Sequence, residues 1–201
     1  MHKRHMSITT TGAWDYSDRD TFNAYHDEET GEAKFLCTNT LKNIYNLLPE
    51  NSNLLDFGCG TGHCIEYINS INTKNIKCTG IEPYVDSIYA QRKNILSRDM
   101  TQPFQIEKGN VMCLEVLEHI PKEYENIAVE NLVNNCDNFL FISWARIGQR
   151  GDGHINCKNK TNVIKQFVRY GFEYKLDISQ AISENAVFPW FKNNMCCFQK
   201  K

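Results

Sequence analysis

The stretch Leu54-Leu55-Asp56-Phe57-Gly58-Cys59-Gly60-Thr61-Gly62 limits what this chain can fold into more than any other. Asn53–Phe57 reads as a short buried strand, and a helix is expected from about Thr61 to Ser70. Between them, alternate glycines let the backbone turn sharply and approach a ligand closely. The N–H groups at the start of the following helix favour negative or electron-rich groups. Glu82 lies 20 residues beyond Gly62, at the end of a second expected strand over 76–81. An acid at that place accepts the hydroxyls of an adenosine ribose. The spacing D-x-G-x-G-x-G differs from the dinucleotide spacing G-x-G-x-x-G, so the constellation points to an adenosine-type cofactor other than a nicotinamide dinucleotide.

The same alternation runs along the rest of the chain. Helices are expected from about Gly31 to Leu48, over 84–94, over 121–136 and around Val163–Val168, with a short one before the last strand. Further strands are expected at 95–98, 111–114, 139–144, 172–178 and 195–199. The run Phe139-Leu140-Phe141-Ile142-Ser143-Trp144 is almost wholly apolar, as a strand must be when helices cover both faces of its sheet. Alternating strands and helices imply an α/β, doubly wound, mostly parallel sheet.

With 201 residues the chain has the length of one domain. Residues 1–30 are polar, with aromatic anchors at Trp14, Tyr16, Phe22 and Tyr25, and read as an irregular arm or lid; residues 31–201 read as the domain itself. No apolar run approaches the roughly 20 residues of a membrane span, and the start carries no apolar leader, so neither a membrane association nor a secretory route is expected. The nine cysteines include no C-x-x-C pair, which points to buried free thiols in a reducing cytoplasm rather than to disulfides or structural zinc. A net charge of −2 gives no global attraction to polyanions, although residues 144–176 carry seven Lys/Arg against two acids.

Leu55–Gly62 resembles motif I of the class I S-adenosylmethionine-dependent methyltransferases. The resemblance implies a Rossmann-like, seven-stranded sheet with an antiparallel last strand, and S-adenosyl-L-methionine as cofactor. It also implies that Asp56, Gly58, Cys59, Gly60 and Gly62 wrap the methionine end. Glu82 with Pro83 resembles the ribose-binding acid, and Asp99 the acid beside the adenine. Cys113–His119 resembles the segment after the fourth strand that borders the transferred methyl, with Leu114 and Glu115 nearest the cofactor. The likeness runs from Leu54 to the C-terminus, about three-quarters of the chain, and is strongest to a branch of small single-domain enzymes from bacteria and large DNA viruses. One departure is Asn110, where an acid is common at the start of strand 4.

Catalytic candidates are His119, Glu115 and His154. An acceptor of high pKa needs a base or a metal to take its proton, and His119 sits just past a strand end, where open α/β sheets bind ligands. Glu115-x-x-Glu118-His119 with distant His154 is also a donor set suited to Mg²⁺ or Mn²⁺. That spacing resembles the metal site of small-RNA 3′-end 2′-O-methyltransferases, and E-x-x-E-H also occurs in ubiquinone-pathway O-methyltransferases. Capping of the following helix by Glu118 and His119 is the alternative. Trp14 and Tyr16 are read either as a lid over the cofactor or as packing of the arm. The expected acceptor is an oxygen or nitrogen of a small molecule, glycan or lipid-linked precursor. RNA is the alternative acceptor, and a non-catalytic cofactor-binding module the second alternative.

Overall fold

The computed structural model describes residues 7–16, 18–27, 29, 30, 32–84 and 93–201. Seven strands form one sheet: β1 (Asn53–Phe57), β2 (Lys77–Ile81), β3 (Ile95–Leu96), β4 (Gly109–Leu114), β5 (Cys136–Ser143), β6 (Phe172–Tyr174) and β7 (Cys196–Lys200). Their spatial order is β3-β2-β1-β4-β5-β7-β6, and β7 runs antiparallel to both β5 and β6 while the other pairings are parallel. The chain therefore starts in the middle of the sheet and winds outward in both directions. The order reverses between β1 and β4, and a ligand crevice opens at such a point, beyond the carboxyl ends of the strands.

Side chains along the central strands alternate between two cores. Val111, Cys113, Leu140 and Ile142 join one core, shared with α4 (Glu125–Asn135) and α5 (Lys160–Arg169). Met112 and Phe141 join the other, shared with α2 (Thr38–Leu47), α3 (His63–Ser70) and α6 (Leu176–Glu184). This is why Phe139–Trp144 reads as an almost wholly apolar run: from Leu140 each successive residue is buried, but against alternate layers.

Asn110, the departure noted in the sequence, clamps the sheet. Its amide donates to the Asn53 carbonyl at 3.0 Å and its side-chain oxygen accepts from the Phe139 N–H at 3.2 Å, so it ties β1, β4 and β5 together. Gly109 beside it allows the close approach, since a Cβ there would lie 2.7 Å from the Asn53 carbonyl oxygen.

Three expectations change. The arm is not wholly irregular, because Arg19–Tyr25 forms α1, capped where the Asp18 carboxylate accepts from the Thr21 N–H at 2.9 Å and the Thr21 hydroxyl at 2.8 Å. The strand expected over 172–178 stops at Tyr174, and Leu176–Ile178 belongs to α6. Its apolar residues are shared by both periodicities, and Ile182 extends the helical one into the core. The helix expected over 121–136 is split, with a single 3-10 turn at Lys122–Tyr124 before α4. The helix expected over 84–94 falls almost entirely on residues 85–92, outside the described residues. All nine cysteines are free thiols, and no helix among the described residues is long and apolar enough to cross a membrane.

Candidate functional site

A cavity of about 510 Å³ opens at the carboxyl ends of β1, β2 and β4, under the N-terminal arm. At one end, the Gly58 and Cys59 N–H groups bond to the Ile81 carbonyl at 2.9 and 3.3 Å, which turns the loop back across β2. Gly58, Gly60 and Gly62 all have positive φ, at 74°, 54° and 82°, which ordinary residues adopt only with strain. Space requires glycine as well: a Cβ on Gly58 would lie 2.5 Å from the Val116 side chain, and one on Gly60 would lie 3.0 Å from the Tyr16 hydroxyl. The loop thus lies between the segment after β4 and the arm.

Glu82 is buried at the end of β2, where its carboxylate accepts the Gly60 N–H at 3.0 Å. Burial pushes this carboxyl up to about 8, against the Gly60 hydrogen bond, which lowers it. Asp99 is half-buried, with one oxygen accepting from the Thr101 N–H and hydroxyl, both at 2.8 Å, and the other from the Thr11 hydroxyl at 3.3 Å. Gly58, Cys59, Gly60, Glu82, Pro83, Asp99, Leu114 and Glu115 all line the cavity. Asp56 and Gly62 do not. Asp56 is buried within β1, where burial pushes its carboxyl up to about 7. The open side of Gly62 faces Ile95 and Lys93, so it shapes the start of α3.

The opposite end is built from segments distant in sequence. Glu115 follows β4 in a left-handed conformation (φ 55°), its N–H bonded to the Ser143 carbonyl at 3.0 Å and hydroxyl at 2.8 Å. The N–H groups of Ile155 and Asn156 donate to the Glu118 carbonyl at 3.0 and 2.9 Å, which docks the 148–157 loop onto this turn. His119 and His154 therefore meet, with ring centroids 5.1 Å apart. His119 Nδ1 donates to the Gly153 carbonyl at 3.1 Å, and His154 Nδ1 to the Gln149 carbonyl at 3.1 Å. In the neutral rings each Nε2 is then left as an acceptor. Burial, with His154 alongside, pulls His119 down to about 4.

Glu118 lies behind the two rings, fully buried, and neither carboxylate oxygen has a hydrogen-bond partner. Burial, reinforced by the nearby Glu115 carboxylate, pushes its carboxyl well above the usual range. One of its oxygens lies 3.8 Å from His154 Nε2, and one ligand atom from each of Glu118, His119 and His154 falls within 4.8 Å of the others. Glu115, the fourth residue of the expected set, is not part of that group among the described residues. Glu115 is taken up elsewhere: its oxygens accept from Gln149 Nε2 at 2.7 Å and Asn194 Nδ2 at 3.1 Å, and Asn194 also donates to Gln149 Oε1 at 2.8 Å.

Sequence reasoning missed Gln149 and Asn194, because nothing local links residues 115, 149 and 194. It also missed His26, whose Nδ1 donates to the Phe22 carbonyl at 2.8 Å and whose Nε2 accepts from the Thr61 hydroxyl at 2.7 Å. Trp144 is a core residue, with its Nε1 donating to the Asn156 carbonyl at 2.7 Å.

A family model described as a methyltransferase domain matches residues 29–132, just over half of the chain, including the glycine loop, Glu82 and the turn after β4. The chain belongs to the class I S-adenosylmethionine-dependent methyltransferases. Among solved structures similar to this methyltransferase is an S-adenosylmethionine-dependent methyltransferase from Aquifex aeolicus. It has a TM-score of 0.60 and 14% identity over 90% of this chain and 97% of that one. Magnesium protoporphyrin IX methyltransferase from Synechocystis PCC 6803 with bound cofactor gives a TM-score of 0.58 and 18% identity, over 82% and 79% of the two chains. The small RNA methyltransferase HEN1 gives 0.55 and 14%, over 80% of this chain but only 24% of that one. No curated protein sequence matches the chain significantly.

Proposed function

We propose that this methyltransferase moves a methyl group from S-adenosylmethionine to an oxygen or nitrogen of a small-molecule acceptor, a class that includes glycans and lipid-linked precursors. The observation that carries the reading is the continuity of one cavity from Glu82 and Asp99, past Gly58 and Gly60, to Glu115, His119 and His154. In this reading Glu82 takes the ribose hydroxyls, Asp99 borders the adenine, and the Gly58–Gly60 loop with Cys59, Pro83 and Leu114 encloses the rest. The bound cofactor supplies an activated methyl on a sulfonium, so positioning and exclusion of water do much of the work. His119 Nε2 would take the proton that the acceptor loses on methylation. The Gly153 carbonyl holds that ring in the tautomer that can accept the proton. The arm acts as the lid, because Gly12 packs directly on the His119 carbonyl and Tyr16 covers Gly60.

The test is calorimetric titration with S-adenosylmethionine, with Glu82→Ala alongside. Micromolar binding that weakens about a hundredfold in the variant is expected, as for loss of charge-assisted hydrogen bonds. Wild-type protein that binds no cofactor would sink the proposal.

One observation favours a second reading, metal-assisted methylation of a hydroxyl, with an RNA 2′-hydroxyl as the acceptor. Two imidazoles whose Nδ1–H groups are fixed by backbone carbonyls, beside an orphaned buried carboxylate, have the chemistry of a divalent-cation site. Glu118, His119 and His154 would hold Mg²⁺ or Mn²⁺, which would lower the pKa of an acceptor hydroxyl. Manganese binding followed by electron paramagnetic resonance, lost in Glu118→Gln, is the expected result here. RNA binding that does not weaken with salt would remove the RNA version.

A further inference from the structure

An unbroken row of aromatic rings leads from His119 to the protein surface. Trp14 meets His119 edge-on with ring centroids 5.3 Å apart, and Tyr25 meets Trp14 at 5.2 Å. Phe35 follows at 6.0 Å from Tyr25, and Trp190 at 6.0 Å from Phe35. At the outer end Phe188 lies flat on Trp190, with centroids 4.7 Å apart and planes 6° from parallel. Trp14, Tyr25, Phe35 and Trp190 all line the cavity of the candidate active site.

Core packing accounts for the inner and outer ends of this row, since Trp14 is buried and Phe188 and Trp190 pack on the core, but not for Phe35 between them. Phe35 is 45% exposed while it also lines the cavity, so its ring is open to a molecule entering there. Two chain segments far apart supply the wall: the arm and the stretch after α1 give Trp14, Tyr25 and Phe35, while α7 (Pro189–Asn194) and Phe188 before it give the rest. Since β7 starts beside the end of β5, α7 stands at the carboxyl edge of the sheet, the edge on which His119 also lies. The Lys122, Lys158, Lys165 and Arg169 groove, which a polyanion would prefer, shares no lining residue with this cavity.

We infer that the methyl acceptor is a small planar aromatic molecule carrying a hydroxyl group, which lies along the Trp14–Tyr25–Phe35–Trp190 wall with that hydroxyl at His119. Aromatic faces and edges hold such a ring in the offset and edge-on arrangements that the wall presents. A phenolic hydroxyl, with a pKa of about 10, also gives up its proton far more readily than an aliphatic alcohol. The inference rests on the methyltransferase reading above for its chemistry: the acceptor's O–H proton goes to His119, and the oxygen gains the methyl as sulfur keeps the pair.

The test compares 2-naphthol with decahydro-2-naphthol, its saturated counterpart of similar size, by calorimetry on the full chain with and without S-adenosylhomocysteine. Naphthol is expected to bind about tenfold tighter, the scale of one or two aromatic contacts. Phe35→Leu and Trp190→Leu should each remove most of that preference while S-adenosylhomocysteine affinity stays as in the wild type. Phe35 is half-exposed, so its variant is not expected to disturb folding. Equal binding of the two probes, or variants that keep the preference, would overturn the inference. So would a uridine oligonucleotide that binds in a Phe35-dependent way when naphthol does not. Failure of S-adenosylhomocysteine binding would count against the cofactor reading alone, because naphthol titrated into the free protein still tests the wall.

Discussion

In the proposed reading, the cofactor half of the cavity is made mostly by backbone, and the acceptor half by segments brought from distant parts of the chain. In the first, the positive-φ residues Gly58 and Gly60 and the turn of N–H groups onto Ile81 fix the shape, and Glu82 is the buried acid that accepts the Gly60 N–H. In the second, residues 115–119, 149–154 and 194 converge, held by side-chain bonds to one another and to backbone carbonyls of the docked loop. A backbone-built site is specified by local sequence and tolerates little change in it. A side-chain site depends on tertiary docking, so the acceptor can change while the cofactor half stays the same.

The sharpest way to break this comparison is to damage each half separately. Glu82→Gln is expected to cost about a hundredfold in S-adenosylmethionine affinity. His119→Gln should leave that affinity within about threefold but lower turnover by about a thousandfold, the scale of lost acid–base catalysis. Calorimetry and S-adenosylhomocysteine formation with any acceptor that supports wild-type turnover give the two readouts. If His119→Gln weakens cofactor binding as much as Glu82→Gln does, the two halves are one unit.

The next effect is on pH. Glu82 has its carboxyl raised by burial to about 8 from an ordinary value of 4.5. Its folded pKa lies above the unfolded one, so its contribution to stability is complete below about 4.5 and is lost as pH rises through about 8. Cofactor-free wild type should therefore lose stability relative to Glu82→Gln between pH 5 and 8, by up to roughly 4 kcal/mol. Ribose hydroxyls donate to the charged form, so cofactor affinity should rise with pH, by at most about tenfold per unit, up to about pH 8. A wild-type affinity independent of pH from 6 to 8 would mean that Glu82 is already ionised in the free protein.

The same contrast explains what the sequence disclosed. The turn at Gly58–Gly60 and Glu82, which line the cavity, were legible because one strand, one turn and the next strand carry both the fold signal and these residues. The seven strands were legible from their apolar runs, except where Leu176–Ile178 satisfied strand and helix periods alike. His119 and His154 were legible as residue types, but their meeting depends on the N–H groups of Ile155 and Asn156 docking on Glu118. Backbone contacts of that kind leave no mark in side-chain identity. The capture of Glu115 by Gln149 and Asn194 was invisible because it joins side chains from segments that no local pattern links.

That capture gives the third prediction, which sharpens the view that side chains hold the acceptor half. Gln149→Leu removes the 2.7 Å bond to Glu115 and one of the two partners of Asn194 together. Turnover is expected to fall about tenfold, the worth of one charge-assisted hydrogen bond, with cofactor affinity nearly unchanged. An equal loss in cofactor affinity would move Glu115 from the acceptor half to the cofactor half.

The smallest expected effect lies where the two halves share a cover. His26 fastens the arm to the glycine loop: Phe22 stacks on its ring with centroids 4.0 Å apart, and Thr61 donates to its Nε2. Both ring nitrogens are used, so the imidazole acts as a strut between α1 and the start of α3 rather than as a base. His26→Leu keeps most of the packing and removes the two hydrogen bonds, at a cost of about 1 kcal/mol. Trp14, almost buried against Tyr25 and His119 on the same arm, reports the arm's position by fluorescence. Cofactor release followed by stopped flow should quicken about fivefold in His26→Leu, with the change in Trp14 emission matching the release rate. If release quickens while the Trp14 signal stays fixed, His26 acts on the loop alone, and the arm is packing rather than a lid. If both stay at wild-type rates, the arm is held by its contacts at Gly12 and Asp99, and the cover belongs to the acceptor half.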